Sequence, residues 1–321
     1  MKENIKKHLS LLCHLIKYPF SKPSRRFIAE YRRVSKVKLI MTFLIKNEEE
    51  IIEKNIRFHH KMGADGFIVA SHNSTDKTNE ILEKLKDEGL VLEIIHKTTP
   101  VYEQSRWVDE MIKIAKNKYK ATWVINADAD EFYYSKSLNL KKSIADVPCA
   151  NVLWVPSFML YPDNREDFLN CPYFSTRKIT QYEIETLDFP ENFNPYGEIA
   201  NPGCVKVIHK TNGYKSIYDG NHDVLMKNRV KIQSADINLY HYHIKNYKGH
   251  EGKVLRWLDA AHTIEEGGGV HVKNMIERYK QGKLKEDYEK LYNPETLDFL
   301  IQNGIVTIDP SVSNFLKSIN V

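Results

Sequence analysis

A chain of 321 residues with 42% hydrophobic and 28% charged residues has ordinary globular composition. Glycine and proline together number 26, which excludes a collagen-like or low-complexity chain, and the length admits about two domains or one enlarged α/β domain. The net charge of +5 is uneven: residues 1–38 hold eleven Lys/Arg against two acids, a net of +9, and the other 36 basic and 40 acidic residues leave −4.

A mildly acidic body argues against a nucleic-acid-binding domain and against a metal nuclease with a basic groove. No run of about 18 uncharged apolar residues occurs, so no membrane-spanning helix is expected. Leu9–Ile16 is broken by His14 and lacks a small-residue cleavage site, so it does not read as a secretory signal. Cys13, Cys149, Cys171 and Cys204 form no C-x-x-C pair. Neither a zinc ribbon nor a redox motif is expected, and a reducing cytoplasm is the simplest compartment.

In the basic arm, Ile5, Leu9, Leu12 and Ile16 recur at helical spacing with Lys6, Lys7 and Lys17 off the stripe. Such a helix either lies on an anionic membrane surface or packs on the body or a partner. From residue 38 the pattern alternates. Leu39–Ile45, Phe67–Ala70, Leu90–Ile95 and Thr122–Ile125 read as strands. Glu48–Met62, the stretch with Ile81, Leu82 and Leu85, and that with Trp107, Met111 and Ile114 read as helices. Strands alternating with helices imply right-handed crossovers and a parallel sheet, with ligands at the carboxyl ends of the strands. Polar clusters stand at those ends: Lys46-Asn47-Glu48, Ser71–Asp76 and Asn126–Glu131.

Seven of the twelve prolines fall between 148 and 202, amid dense aromatics such as Trp154, Phe158, Tyr161, Tyr173, Phe174, Phe189 and Tyr196. Loops and edge strands are expected there. Their aromatic rings either stack on sugars or floor the loops. Helical periodicity returns over 251–302, interrupted by Gly267-Gly268-Gly269, which reads as a flexible turn.

The strongest chemical signal is Asn126-Ala127-Asp128-Ala129-Asp130-Glu131-Phe132. Like charges this close raise one another's pKa unless a cation intervenes. Carboxylate oxygens favour Mg²⁺ or Mn²⁺, with water and substrate phosphates completing the shell. A metal–diphosphate site is one reading and a solvated acidic turn the other. His241 and His243 lie two apart in a strand-like segment and so share a face.

The order strand–KNEEE–helix, strand–SHNSTDKT–helix, strand–NADADEF resembles the donor half of glycosyltransferase family 2, in its family 2-like branch. The resemblance runs from Lys38 to Phe132 and more weakly through Lys206 and His222 to YHYHIKNYKGHEGK at 240–253. It implies a GT-A fold: an α/β, Rossmann-like, mostly parallel sheet with flanking helices, a loop-rich acceptor half and a helical C-terminal region. The implied organisation is an arm at 1–36, a glycosyltransferase domain at 37–250 (donor half 37–135, acceptor half 136–250) and a helical region at 251–321.

Carried over, the resemblance places Asn47, Glu48, Ser71, Asn73, Asp76 and Arg106 near the nucleotide. Ser71 and His72 stand where acidic or amide groups are usual in that family, and Asp76 is either a helix cap or a ligand contact. Gln104 and Trp107 line the donor cleft, or Trp107 belongs to the core. Asp128 faces the ribose or a metal-bound water, Asp130 binds the metal, and His241, or else His222, supplies a further ligand. Lys206, His209, Lys245 and Lys253 are candidates for phosphate contact, and Glu198 and Asp223 for the base.

The implied reaction is metal-dependent, inverting transfer of a sugar from a nucleoside-diphosphate sugar, foremost a UDP-sugar, to a saccharide or lipid-linked acceptor. The implied setting is cell-envelope polysaccharide or glycolipid synthesis, in the cytoplasm or on the inner face of the membrane, with residues 1–36 as a peripheral contact. A nucleotidyltransferase would carry a glycine-rich loop after strand one, where this chain has KNEEE. The remaining alternative is a catalytically silent nucleotide-sugar binding or scaffolding protein.

Overall fold

The computed structural model describes residues 22–99, 103–163, 165, 167–191, 193, 202, 205–259 and 270–319. The apolar stripe Ile5–Ile16, Glu198, Tyr196 and the glycine run at 267–269 lie outside them.

The described residues open with α1 (Lys22–Val34) and then alternate β1 (Leu39–Ile45), α2 (Ile52–Lys61), β2 (Gly66–His72), α3 (Thr78–Asp87), β3 (Val91–Lys97), α4 (Gln104–Asn117) and β4 (Trp123–Ala127). These four strands are parallel, in the spatial order β3-β2-β1-β4. The expected elements are thus present, with shifts of a few residues at their ends. β1 and β2 consist almost wholly of buried residues because helices and a second layer cover both faces. Alternation sorts their side chains. Leu39, Met41, Phe43 and Ile45 enter the main core, while Ile40, Ile68 and Ala70 pack under Val108, Met111 and Ile112 of α4. Helix α3 ends where Gly89 takes φ +78°, a left-handed conformation that releases the chain toward β3.

After β4 come β5 (Glu131–Ser135), α5 (Leu140–Ala145), β6 (Val152–Val155), β7 (Ser157–Leu160), β8 (Tyr173–Ser175), α6 (Gln181–Thr186), β9 (Lys206–Lys210), β10 (Tyr214–Ile217), β11 (Val224–Met226), β12 (Lys231–Gln233) and β13 (Ile237–His241). Strands β9, β6 and β12 extend the first sheet to seven, with β9 antiparallel to both neighbours. This is the expected mostly parallel α/β sheet with flanking helices.

A second sheet runs β14-β8-β7-β13-β5. Its last member, β14 (Val306–Ile308), comes from the C-terminal region, which also supplies α7 (Tyr247–Asp259), α8 (Val270–Lys280), α9 (Leu284–Leu291), α10 (Pro294–Gln302) and α11 (Ser311–Ser318). Most of the proline-flanked aromatics are floor. Tyr161, Phe174 and Phe193 are buried, and Phe158 and Phe174 meet Tyr240 edge-on. Tyr182, by contrast, is 74% exposed. Helix α11 closes the back of the molecule: Phe315 and Phe132 both pack edge-to-face on Phe58 of α2 at 5.1 Å.

Candidate active site

Two loops at the carboxyl ends of β1 and β2 are laced together. Asn47 and Asn73 turn the chain through left-handed conformations, φ 57° and 48°, which asparagine tolerates better than most residues. The backbone N–H groups of Asn47, Glu48 and Glu49 donate to Ser74 Oγ, Thr78 Oγ1 and Asp76 Oδ2. In return Thr75 and Lys77 donate to Asn47 Oδ1 and Glu49 Oε2. KNEEE and STDKT are therefore two halves of one hydrogen-bonded rim. Asp76 Oδ1 also accepts from Thr78 N–H at 3.0 Å, so one of its oxygens binds backbone at the start of α3 and the other binds backbone in the loop after β1.

The acidic turn follows β4, as expected. Strand β13 pairs antiparallel with β5 and sets His241 opposite Glu131. His241 Nε2 then lies 3.4 Å from Asp130 Oδ1. Beyond β13, Asn246 accepts from Gly249 N–H and caps α7, whose first turns lean over the turn of acids. Between them lies a cavity of about 480 Å³. Asn47, Glu48, Asp76, Asp128, Asp130, His241, Lys245 and Lys253, all candidates from the sequence, line it. So do Lys46, Lys248 and Arg256, and two glycines of α7, Gly249 and Gly252. Lys248, Gly249, Gly252, Lys253 and Arg256 recur at helical spacing along one face of α7, a pattern visible in the sequence once the helix bounds are known.

Charge is arranged in layers. Burial opposes ionisation of Asp130, but the positive groups His241, Lys253 and Lys245 outweigh it and hold the carboxyl far below its usual range. Burial likewise works against the charge on His241, and Asp130 overcomes it, so the imidazole pKa is raised. His243 is driven the other way by burial and by the neighbouring charges of His241 and Lys253. Glu48 is raised by burial against the pull of Lys245, whose Nζ lies 3.2 Å away. Behind the turn, the buried Lys206 ammonium sits 3.0 Å from Asp128 Oδ2 and 2.9 Å from Glu131 Oε1. Two acids share one cation there. Burial pushes the fully enclosed Glu131 up, to about 7, against that pull.

The other candidates stand elsewhere. Ser71 is buried and donates to Ser74 Oγ, and Asn73 turns to His72 and the Thr99 carbonyl. Arg106 pairs with Glu103 on an exposed groove of α4, while Trp107 is core. His209 is buried in a polar line Thr42–Asn126–His209 and stacks on Tyr214 at 5.0 Å. Burial lowers its pKa to about 4, so it is a neutral core group rather than a phosphate contact. Lys206 is engaged by acids. His222 donates through Nδ1 to the Val205 carbonyl at 3.0 Å. Asp223, beside the β10–β11 hairpin, is held by Arg229 and by Lys231 at 3.3 Å.

Cis donors on an octahedral ion with bonds of about 2.1 Å stand about 3 Å apart. The Asp130–His241 pair, at 3.4 Å, is somewhat wider than that spacing and offers one carboxylate and one imidazole. Among the described residues no three carboxylate, imidazole or thiolate groups form a closed metal cage. The pair suits an ion that completes its shell with substrate oxygens.

The cleft thus lies at the carboxyl ends of a parallel sheet, acidic on the strand side and basic on the helix side. The sequence profile of glycosyltransferase family 92 matches residues 41–298, and the chain belongs to that family. The expected class stands, while the family is 92 where the motifs had suggested family 2. No curated protein matches the chain. Solved structures similar to it include S. aureus TarS 1–349, 15% identical over 88% of this chain and 90% of that one, TM-score 0.40. The mannosyltransferase PcManGT from Pyrobaculum calidifontis, in complex with GDP-Man and Mn²⁺, is 12% identical over 92% and 89%, TM-score 0.42. The M. tuberculosis glucosyl-3-phosphoglycerate synthase is 14% identical over 41% and 48%, TM-score 0.31.

Proposed function

We propose that this family 92 member transfers a sugar from a nucleoside-diphosphate sugar, foremost a UDP-sugar, to an acceptor hydroxyl with Mn²⁺ or Mg²⁺ as cofactor. The observation that carries this reading is the Asp130–His241 pair facing the basic side of α7 across the cavity. Asp130 and His241 would hold the ion, which when bound neutralises charge on the departing diphosphate. Lys245, Lys248, Lys253 and Arg256 lie where they can bind the diphosphate oxygens. Asn47 and Glu48 stand beside the nucleotide, and Asp128, tethered by Lys206, faces the sugar or ribose. The acceptor oxygen attacks the anomeric carbon from the face opposite the diphosphate. The bond to the diphosphate breaks with its electron pair, and the hydroxyl proton passes to a carboxylate, so the centre inverts.

The acceptor is a saccharide or lipid-linked chain of the cell envelope, and the basic residues 1–36 bring the enzyme to an anionic membrane surface. The test is release of free nucleotide from a panel of nucleotide sugars. Release with Mn²⁺ by the wild type, lost in Asp130→Ala, is expected. Equal release in the presence of a chelator would overturn the metal-dependent reading.

A further inference from the structure

The acidic turn is gripped from behind by a residue pair, Asn55 and His59, that does not itself line the cavity. Asn55, fully buried on α2, donates both amide hydrogens to the turn, to Ala129 O at 2.8 Å and Glu131 O at 2.9 Å. Those carbonyls bracket Asp130. Asn55 Oδ1 is 2.6 Å from His59 Nδ1, and His59 Nε2 is 2.9 Å from the backbone N of Tyr133. A backbone N–H only donates, so Nε2 is the bare nitrogen and Nδ1 carries the hydrogen. That hydrogen is shared between Asn55 Oδ1 and the Asn55 backbone carbonyl, which lies 3.0 Å from Nδ1. The Tyr133 N–H on β5 thereby sets the imidazole tautomer, and a donor at Nδ1 agrees with the amide orientation that the Ala129 and Glu131 carbonyls require, its NH₂ toward the turn. The remaining carbonyls of the turn are also engaged: Asp128 O by Glu131 N at 3.1 Å and Asp130 O by Tyr242 N at 2.8 Å.

We propose that Asn55, oriented by His59, is a positioning residue that locks the backbone on either side of Asp130 and keeps its carboxylate aimed at the cavity. The inference rests on the reading of Asp130 as the ion- and diphosphate-binding group. Burial lowers the His59 pKa to about 3, which favours the neutral ring whose Nε2 accepts from Tyr133 N–H. A carboxylate that must meet an ion and a diphosphate at fixed angles gains from such support, since a drifting turn would have to be reordered at each binding event.

The test uses the full chain without ligand and then with Mn²⁺ and UDP. Hydrogen exchange at the amides of Glu131 and Tyr242 reports the turn itself, independent of any ion. Asn55→Ala should speed that exchange and weaken Mn²⁺-dependent UDP binding by about tenfold or more at unchanged secondary structure. His59→Asn places an amide NH₂ near the Nδ1 position but falls short of Tyr133 N, whereas His59→Gln extends past the Nδ1 position and presents its carbonyl to Tyr133. The Asn variant should therefore retain more Mn²⁺–UDP affinity than the Gln variant, a difference that mere packing would not produce. Wild-type exchange in a folded Asn55→Ala protein overturns the lock, and a loosened turn with unchanged affinity overturns its role in binding. Should Asn55→Ala not fold, equal exchange and affinity in the two His59 variants overturns the proposal. A wild type that binds no UDP with Mn²⁺ sinks the proposed function instead, and exchange alone then decides the lock.

Discussion

Asp130 owes its ionised state to position rather than to residue type: buried acids are normally pushed up, and only the imidazole and lysines around it reverse that. Replacing Asp130 with Ala should abolish the stabilisation that UDP with Mn²⁺ gives the wild type, about 2.7 kcal/mol at 100 times the dissociation constant and read as a rise in Tm, while the ligand-free protein still melts cooperatively. The partner histidine gives a pH signature. Its folded pKa is raised, so the stability it supplies is complete below the unfolded value of about 6.5 and fades as pH rises through the folded value. The Tm gap between wild type and Asp130→Asn should be widest in mildly acidic buffer and narrow in alkaline buffer. A gap that grows with pH would contradict the ion pair. Asp223, tied to Arg229 and Lys231 beside the hairpin, should be replaceable by Asn with turnover near that of the wild type. A loss of several orders of magnitude in an assay of nucleotide release would return it to the reaction.

At the scale of elements, α7 is the part of the site least like a generic helix. Two glycines in its interior cost helix stability, roughly 0.5–1 kcal/mol each relative to alanine, yet both line the cavity. A Cβ at Gly252 would meet only Arg256 Nη1, at 3.7 Å, so alanine fits there without strain. Gly252→Ala should raise stability in chemical denaturation by up to about 1 kcal/mol. Gly252→Leu should keep that gain but raise the donor KM by filling the cleft; a leucine variant with normal KM would move the donor away from α7. Outside the cavity lining, Phe58 anchors α2 to β5 and α11 through two edge-to-face contacts. Its truncation to alanine should cost about 3–5 kcal/mol, read from the shift in denaturant midpoint.

For the molecule as a whole, helix α1 is the described part of the basic N-terminal region. Helix α1 lies against α5, with Arg33 3.4 Å from Asp146 and Lys142 3.7 Å from Glu30, while its other arginines face outward. No helix among the described residues is long and apolar enough to cross a membrane. Removing residues 1–21 should therefore leave nucleotide release intact and reduce binding to anionic vesicles without affecting neutral ones. Undiminished vesicle binding would place the contact elsewhere.

Hydrophobic period and turn chemistry are local, and they sufficed to define the four parallel strands, the helices between them and the acidic turn at the end of β4. The KNEEE and STDKT segments marked the rim for the same reason: asparagine, serine and threonine announce turns by their own hydrogen-bonding capacity. What needed the tertiary structure was every pairing across long stretches of chain. His241 reaches Asp130 only because β13 and β5 run antiparallel in register, and Lys245 reaches Glu48 across 197 positions. Asn55 and His59 looked like ordinary helix residues, since nothing in their spacing tells that β5 lies behind them. Asp223 and His209 carried suitable chemistry but were spent on an ion pair and a buried polar line, because a side chain's role follows from its neighbours once folded, and sequence order alone does not list those neighbours.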